Sequence, residues 1–229
     1  MKKIIILVIF ITAALLVKAQ TAEEVIAKVK AKLEKVNDYE AKGKMKTNVV
    51  FIKAPIANVK VYYKKPNKLR INNESGISFI PKGSMNINLN NIFINTEGFD
   101  LIDMGKEDKT AFRIIKLLPK DENSDVVLST VYVDEQQLLI RKAKTTTKEN
   151  GTYELEMTYG KYAAWGLADK VNFQFNTKDY KLPKGITFDY DDGSKKKTPS
   201  DKIKNKKGQV EIVYSNYIIN RGVSDTVFQ

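Results

Sequence analysis

The feature that most constrains the fold of this chain is an alternation of apolar and polar residues that recurs along much of its length. Successive side chains of a strand point to opposite faces of a sheet, so each alternating run predicts a strand with one apolar and one polar face. The apolar positions are Met45, Thr47, Val49, Phe51; Val59, Val61, Tyr63; Ile87, Leu89, Phe93; Tyr153, Leu155, Met157, Tyr159; Val171, Phe173, Phe175; and Val210, Ile212, Tyr214. One-sided strands are typical of antiparallel sheets. We expect about ten strands, too many for a flat sheet without strong curling or closure.

Short segments rich in proline, glycine and asparagine separate these runs and favour turns. They are Lys65-Pro66-Asn67, Glu149-Asn150-Gly151, Pro183-Lys184-Gly185 and Asp192-Gly193. No internal repeat is visible in the sequence.

An amphipathic helix is predicted before the first strand. Thr21 and Glu24 have the spacing of a capping box, in which each side chain satisfies a free backbone N–H of the first turn. The apolar residues that follow recur every three or four positions and form one stripe, which predicts a helix with a single buried face. These residues are Val25, Val29, Leu33 and Val36, and Asn37-Asp38 ends the element.

A second, shorter helix is predicted from Thr110 to Leu118, with Pro119 ending it. Its apolar residues are Phe112, Ile114, Ile115, Leu117 and Leu118, more than one buried stripe requires. Two interpretations remain open at this point. The helix is either a plug that fills the core or a mobile lid over an apolar cavity.

Two helices are little cover for the apolar face of so many strands, and that face must be covered by something. The sheet either closes on itself around a tight core or stays open and leaves a concave apolar groove for a lipid-like ligand. Exposed apolar patches of this kind usually mark binding sites.

The residue types present exclude several classes of enzyme. The sequence has no His and no Cys, which excludes imidazole and thiolate metal sites, Cys nucleophiles and Ser-His-Asp triads. The acidic pairs Asp121-Glu122 and Asp134-Glu135 are interpreted as solvated turns rather than acid–base catalysts. The segment Asp189–Gly193 lacks the ligand spacing of a calcium loop and is interpreted as a hairpin turn. We expect no catalytic residue, no metal and no cofactor.

The first nineteen residues have the pattern of a secretory signal peptide. Lys2 and Lys3 precede the apolar run 4–17, and Ala19 provides a cleavage site before Gln20. The run of about 14 residues is shorter than a membrane span of about 20. With the Lys-rich, Asn-rich composition, this predicts export to a bacterial periplasm. No Cys follows the run, so we expect the product to carry no lipid anchor.

A basic stretch near the C-terminus is the most marked charge feature. Its residues are Lys195, Lys196, Lys197, Lys202, Lys204, Lys206 and Lys207, opposed only by Asp201. The stretch is either a solvated loop or a surface that attracts an anionic membrane or a partner. Nucleic acid would suit the charge, but the signal peptide argues against it.

Several segments resemble the periplasmic outer-membrane lipoprotein carrier family (LolA-like), and most closely its lipoprotein-sorting relatives in Bacteroidota. They are the helix that begins Thr21-Ala22-Glu23-Glu24-Val25-Ile26, the strand and turn over residues 61–70 with Lys65-Pro66-Asn67-Lys68-Leu69-Arg70, the apolar segment 110–118, and the strands Ile186–Tyr190 and Tyr214–Tyr217. The resemblance spans residues 20–229, which we expect to form a single domain.

The resemblance implies an α+β fold, a strongly curved antiparallel sheet that forms an incomplete β-barrel closed by helices. It also implies a monomeric carrier that receives the acyl chains of a lipoprotein or lipid from an inner-membrane donor complex and passes them to an outer-membrane acceptor. The residues expected to line the cavity are Val59, Val61, Tyr63, Phe93, Phe112, Ile115, Leu118, Leu155, Met157, Phe173 and Phe175.

Lys65 and Arg70 are the expected latch or turn residues of this arrangement. The family has an arginine before the proline of the turn, where it is tied to lid closure, and this chain has Lys65. An ammonium group cannot reproduce the forked hydrogen bonds of a guanidinium. A different class of function also remains open, that of an envelope interaction module with a filled barrel and the basic stretch as its docking loop.

Overall fold

The computed structural model describes residues 20–48, 56–73, 98–149, 151–176 and 207–228. Within them the chain forms one α-helix, α1 (Ala22–Leu33), and ten strands. The strands are β1 (Asp38–Asn48), β2 (Ala57–Lys64), β3 (Lys68–Asn73), β4 (Phe99–Lys106), β5 (Arg113–Pro119), β6 (Val126–Asp134), β7 (Leu139–Thr147), β8 (Gly151–Thr158), β9 (Lys170–Asn176) and β10 (Lys207–Ile219). Two short 3-10 helices lie at Ala163–Trp165 and Asp225–Phe228.

All ten strands belong to one antiparallel sheet, in the order β3-β2-β1-β10-β9-β8-β7-β6-β5-β4. Strands β3 and β4 are the two ends of this order and do not pair with each other, so the described part of the sheet does not close. The predicted fold class, an antiparallel sheet forming an incomplete barrel, is confirmed. The pairing of β1 with β10 joins the beginning of the sheet to its C-terminal strand.

Helix α1 forms as its sequence predicts. The Thr21 hydroxyl accepts a hydrogen bond from the Glu24 amide at 3.2 Å, and the Glu24 carboxylate accepts one from the Thr21 amide at 3.4 Å, which completes the capping box. Val25 and Val29 are buried. The helix ends at Leu33, before the predicted end, so that Val36 is buried in the turn that follows rather than on the helical stripe.

The alternation of residues divides the sheet into an apolar inner face and a polar outer face. On the inner face the buried side chains form two clusters. The helix-covered half consists of Ala22, Val25, Ile26 and Val29 of α1 with Ile115, Leu117, Val131, Val133, Ile140, Ala143, Leu155, Met157 and Ala168. The aromatic half consists of Ala41, Met45, Val59, Val61, Tyr153, Phe175, Val210, Ile212 and Tyr217, with Tyr39, Tyr162 and Tyr214 packed against it.

The prediction of a second helix over residues 110–118 is wrong. Residues 113–119 form β5, which pairs with β4 on one side and β6 on the other. Ile115 and Leu117 are buried on the inner face, whereas Leu118 points outward and is 40% exposed. A short apolar run suits a strand as well as a helix, and β-branched residues favour a strand. The backbone hydrogen bonds to β4 and β6 make this segment a strand rather than a helix.

Several predicted features lie outside the described residues. They are the signal peptide, Val49 and Phe51, the alternating run 87–93 with Phe93, the segments 183–185 and 186–193, and the basic residues Lys195, Lys196, Lys197, Lys202, Lys204 and Lys206. Of Lys207 only the backbone is described, at the start of β10. In the part of the chain that the structure describes, no helix has the length and apolar character needed to cross a membrane.

Candidate functional site

The residues predicted to line a cavity lie on the inner face but are divided between its two halves. Val59, Val61 and Phe175 belong to the aromatic half, and Tyr63 stacks on Tyr39 beside them. Ile115, Leu155 and Met157 belong instead to the helix-covered half. Phe173 packs against both clusters.

The residues predicted to form a lid do not lie next to one another over a groove. Leu118 lies on the outer face of β5. Phe112 precedes β5 and is half-buried, with the Arg141 guanidinium 5.9 Å from its ring centroid. With no helix at this position, a helical lid formed by residues 110–118 is excluded.

Lys65 lies in the β2–β3 turn and contacts the segment that follows α1. Its Nζ donates a hydrogen bond to the Glu34 carbonyl and another to Asn37 Oδ1 at 3.3 Å. The Lys65 amide also donates to the Asn37 carbonyl at 2.8 Å. Arg70 lies on β3, where its Nε donates to Asn72 Oδ1 at 3.0 Å. Lys65 therefore ties the turn to the end of α1, whereas Arg70 bonds within its own strand.

The aromatic half contains a tyrosine cluster that the sequence did not single out as a site. Tyr39 is next to Tyr63 and Tyr217, with each pair of ring centroids 5.3 Å apart. Tyr217 also contacts Tyr214 at 5.1 Å and Tyr162 at 4.8 Å. Tyr39, Tyr63, Tyr214 and Tyr217 come from three adjacent strands, β2, β1 and β10, and Tyr162 comes from the loop between β8 and β9.

A β-bulge brings two of these rings to the same face. Lys42 pairs with Asn216 and Gly43 pairs with Tyr214, so Ser215 has no partner on β1. The extra residue shifts the alternation, and Tyr214 and Tyr217 therefore both point inward although they are three positions apart. The Ser215 hydroxyl donates to the Lys42 carbonyl at 3.1 Å.

Gly43 is required at the bulge. A Cβ atom at this position would lie 2.6 Å from the Val213 carbonyl oxygen, closer than atoms of this kind approach each other. Only glycine lets β1 approach β10 at this point without a shift of the backbone.

Two hydroxyls of the tyrosine cluster are hydrogen-bonded within the protein. Tyr217 donates to the Ala168 carbonyl at 2.7 Å. Tyr162 donates to Asn216 Oδ1 at 3.0 Å and accepts from the Tyr217 amide at 3.3 Å. These bonds fasten the β8–β9 loop to β10.

The hydroxyls of Tyr39 and Tyr214 have no hydrogen-bond partner within the described segments. Burial raises the pKa of both, and for Tyr39 the neighbouring Tyr214 and Tyr63 raise the pKa further. Leaving a buried polar group unpaired costs about 1–3 kcal/mol. Both rings are only half-buried, which leaves them within reach of a small molecule.

The polar groups of the other half are paired. Tyr159 donates to the Ile140 carbonyl at 2.9 Å. At the open end of β5, Arg113 binds Asp103 at 2.5 Å and Glu135 at 2.8 Å. The hydrogen bond from Arg113 lowers the pKa of Asp103. Burial opposes ionisation of Glu135, but bonds from Arg113 and Lys106 outweigh it and lower the pKa of this carboxyl too.

The acidic pair Asp134-Glu135 is therefore an ion-pair site rather than a solvated turn. Asp134 binds Arg141 at 2.9 Å, and Glu135 binds Arg113. The described segments contain no group of acidic side chains arranged to hold a metal ion.

Three solved structures share this architecture over nearly the whole chain. A domain provisionally assigned to outer membrane lipoprotein sorting, from Vibrio parahaemolyticus, matches with a TM-score of 0.55 at 10% sequence identity, covering 90% of this chain and 94% of that one. A DUF1329 family protein from Desulfovibrio piger has a TM-score of 0.54 at 14% identity, covering 92% and 98%. A LolA superfamily protein from Nitrosomonas europaea has a TM-score of 0.51 at 10% identity, covering 92% and 98%.

The resemblance noted in the sequence is confirmed at the level of the fold, which is LolA-like. No protein-family model matches the sequence, and no curated protein does.

Proposed function

We propose that this protein is a carrier that binds the acyl chains of a lipoprotein or lipid against the aromatic half of its inner face. The observation that carries the proposal is the unequal cover of that face. Helix α1 packs on the helix-covered half, whereas no described helix contributes to the aromatic half. An apolar surface on an open, curved sheet is the kind of site that takes an extended apolar ligand.

Such a carrier needs no catalytic residue. Each CH₂ group of an acyl chain that leaves water contributes about 0.8 kcal/mol to binding. The protein needs only to hold the chain more weakly than its acceptor and more strongly than its donor. This accords with the expectation that the protein is not an enzyme.

The predicted signal peptide and the fold both support a proposal for the place of action. We propose that residues 1–19 are removed after Ala19 on export and that residues 20–229 act as one monomeric domain in the periplasm. The names of two of the similar structures refer to lipoprotein sorting and to the LolA superfamily. By analogy, the cargo would come from an inner-membrane donor complex and go to an outer-membrane acceptor.

A second candidate is an interaction module with a filled core and the basic stretch as a docking loop. It is favoured by the burial of the aromatic half, where Val59 and Val61 are 2% and 1% exposed. In that case the inner face would already be complete without a ligand.

Native mass spectrometry of protein purified from the periplasm separates the two candidates. The carrier proposal predicts a bound species whose mass is that of a lipid or an acylated peptide. It also predicts that the delipidated protein will bind the fluorescent probe N-phenyl-naphthylamine and release it when fatty acid is added. A ligand-free protein that does not bind the probe would favour the interaction module.

The site of binding is tested on the edge strand β3, where neighbouring residues face opposite ways. Ile71 packs against the aromatic half and is half-buried, and Asn72 is exposed on the outer face. We expect Ile71→Gln to weaken probe binding about fivefold, since it replaces an apolar contact by a polar amide. Asn72→Gln places the same side chain on the other face and should leave binding unchanged. Equal effects of the two substitutions would exclude the inner face as the binding site.

A further inference from the structure

The tyrosine cluster differs from the rest of the aromatic half because it holds hydrogen-bonding groups that no described residue pairs. The phenol hydroxyls of Tyr39 and Tyr214 have no partner within the described segments. Their neighbours Tyr162 and Tyr217 do have partners, Asn216 and the Ala168 carbonyl. Buried polar groups in proteins are nearly always paired, so two unpaired hydroxyls in the same cluster indicate that a hydrogen-bond partner is missing.

Tyr39 and Tyr214 lie on the neighbouring strands β1 and β10, and both face inward. Tyr214 follows the regular alternation of β10, and the bulge at Ser215 then turns Tyr217 to the same face, where its ring contacts both of the others. The bulge requires the close approach that Gly43 allows. Bulges are frequent beside functional sites, where they redirect a side chain. Packing alone would not need a hydroxyl on Tyr39 or Tyr214, since phenylalanine has the same apolar ring.

The residues around the cluster indicate which chemical group the missing hydrogen-bond partner would have. Lys65, on the β2–β3 turn, is bonded to the Glu34 carbonyl and to Asn37. Lys161 lies 5.1 Å from the ring centroid of Tyr162, at the loop end of the cluster. The Tyr39 and Tyr214 rings have no cation–π partner among the described residues. A phosphate at these two hydroxyls would therefore have no described cation on either ring to oppose its charge, whereas a neutral carbonyl oxygen needs none and accepts a phenol hydrogen bond well.

We infer that Tyr39 and Tyr214 form a polar subsite that donates hydrogen bonds to the carbonyl oxygens of the acyl linkages of the cargo. The inference rests on the proposed carrier function and extends it, because it places the linkage end of the chains at the tyrosine cluster. The acyl chains then run from this cluster along the apolar part of the aromatic half, past the half-buried Leu69 and Ile71 of β3. The subsite selects acyl-linked molecules over molecules that carry the same hydrocarbon chains without a carbonyl group.

The direct test compares an ester-linked lipid with its ether-linked analogue. Dihexanoyl phosphatidylcholine and di-O-hexyl phosphatidylcholine, both kept below their micelle concentrations, are titrated against protein loaded with N-phenyl-naphthylamine. The two lipids have the same head group and chain length, and only the ester has carbonyl oxygens. We expect the ester to displace the probe at about tenfold lower concentration. This comparison uses the unchanged protein and does not depend on any variant folding.

The double variant Tyr39→Phe, Tyr214→Phe assigns the preference to these hydroxyls. It should bind the ether lipid as the unchanged protein does and bind the ester lipid no better than the ether. Tyr62→Phe is the matched control, because Tyr62 is next to Tyr63 on β2 but faces outward, and it should keep the full preference. Circular dichroism melting checks that all three proteins are folded.

The experiments distinguish a failure of the subsite proposal from a failure of the carrier proposal. If the unchanged protein binds both lipids equally, or if the double variant keeps the preference for the ester, the subsite is wrong and the carrier proposal stands. If neither lipid displaces the probe and no fatty acid does, the carrier proposal itself fails.

Discussion

The two halves of the inner face are built from the same sheet but are completed in different ways. The helix-covered half is mainly aliphatic, is sealed by α1, and has its polar groups paired. The aromatic half is rich in tyrosine, and among the described residues it has no helix over it and no partner for two of its hydroxyls. Under the proposed carrier function, the first half is the folding core and the second is the binding surface. A single sheet would then keep stability and ligand binding in separate regions.

The largest effect is expected from a charge placed under α1. Val29 is 1% exposed in the helix-covered half, so Val29→Asp would bury an unpaired carboxylate. We expect a loss of unfolding free energy on the order of 4 kcal/mol. Urea unfolding followed by the fluorescence of Trp165, the single tryptophan, measures it. Lys28→Asp, at an exposed position of the same helix, is the control and should have little effect.

An intermediate effect is expected at the bulge. Gly43→Ala would force β1 and β10 apart, because the new methyl group would meet the Val213 carbonyl. We expect a loss of about 2 kcal/mol in stability together with a weaker preference for the ester lipid. Stability lost without any change in that preference would mean that the bulge serves packing alone.

A smaller and pH-dependent effect is expected from Arg113. Its side chain is 11% exposed and its partners Asp103 and Glu135 are more exposed, so Arg113→Met should cost about 1 kcal/mol near neutral pH. The pKa of both carboxyls is lowered in the folded protein. Their contribution is therefore present above the ordinary carboxyl pKa of about 4 and is lost as the pH falls below it. Urea unfolding at a series of pH values should show the two proteins converge in acid. Probe binding should not change, since Arg113 lies in the other half.

The strands were predictable because their burial is periodic. The inward positions Val59, Val61, Leu155 and Met157 follow directly from alternation, and the capping box located the start of α1. Local pattern was sufficient wherever one face of an element meets the core and the other meets water.

The errors came from interactions that a local pattern does not contain. The run at 113–119 is apolar enough for either helix or strand, and only its pairing with β4 and β6 makes it a strand. Tyr214 and Tyr217 cannot both face inward in a regular strand. Their cluster therefore depends on a bulge, which a regular alternation of residues does not predict. The hint in the sequence was the pair of tyrosines three positions apart, which interrupts the alternation after Tyr214.

The most direct test of the separation of binding from folding is to locate the bound chain by NMR. Protein with labelled valine and isoleucine methyl groups is loaded with a myristoyl lipid, and contacts between the lipid chain and the methyls are recorded as intermolecular nuclear Overhauser effects. We predict contacts to Val59, Val61 and Ile71 of the aromatic half and none to Val25, Val29 or Val131 beneath α1. Contacts concentrated beneath α1, with the aromatic half unaffected, would contradict the account.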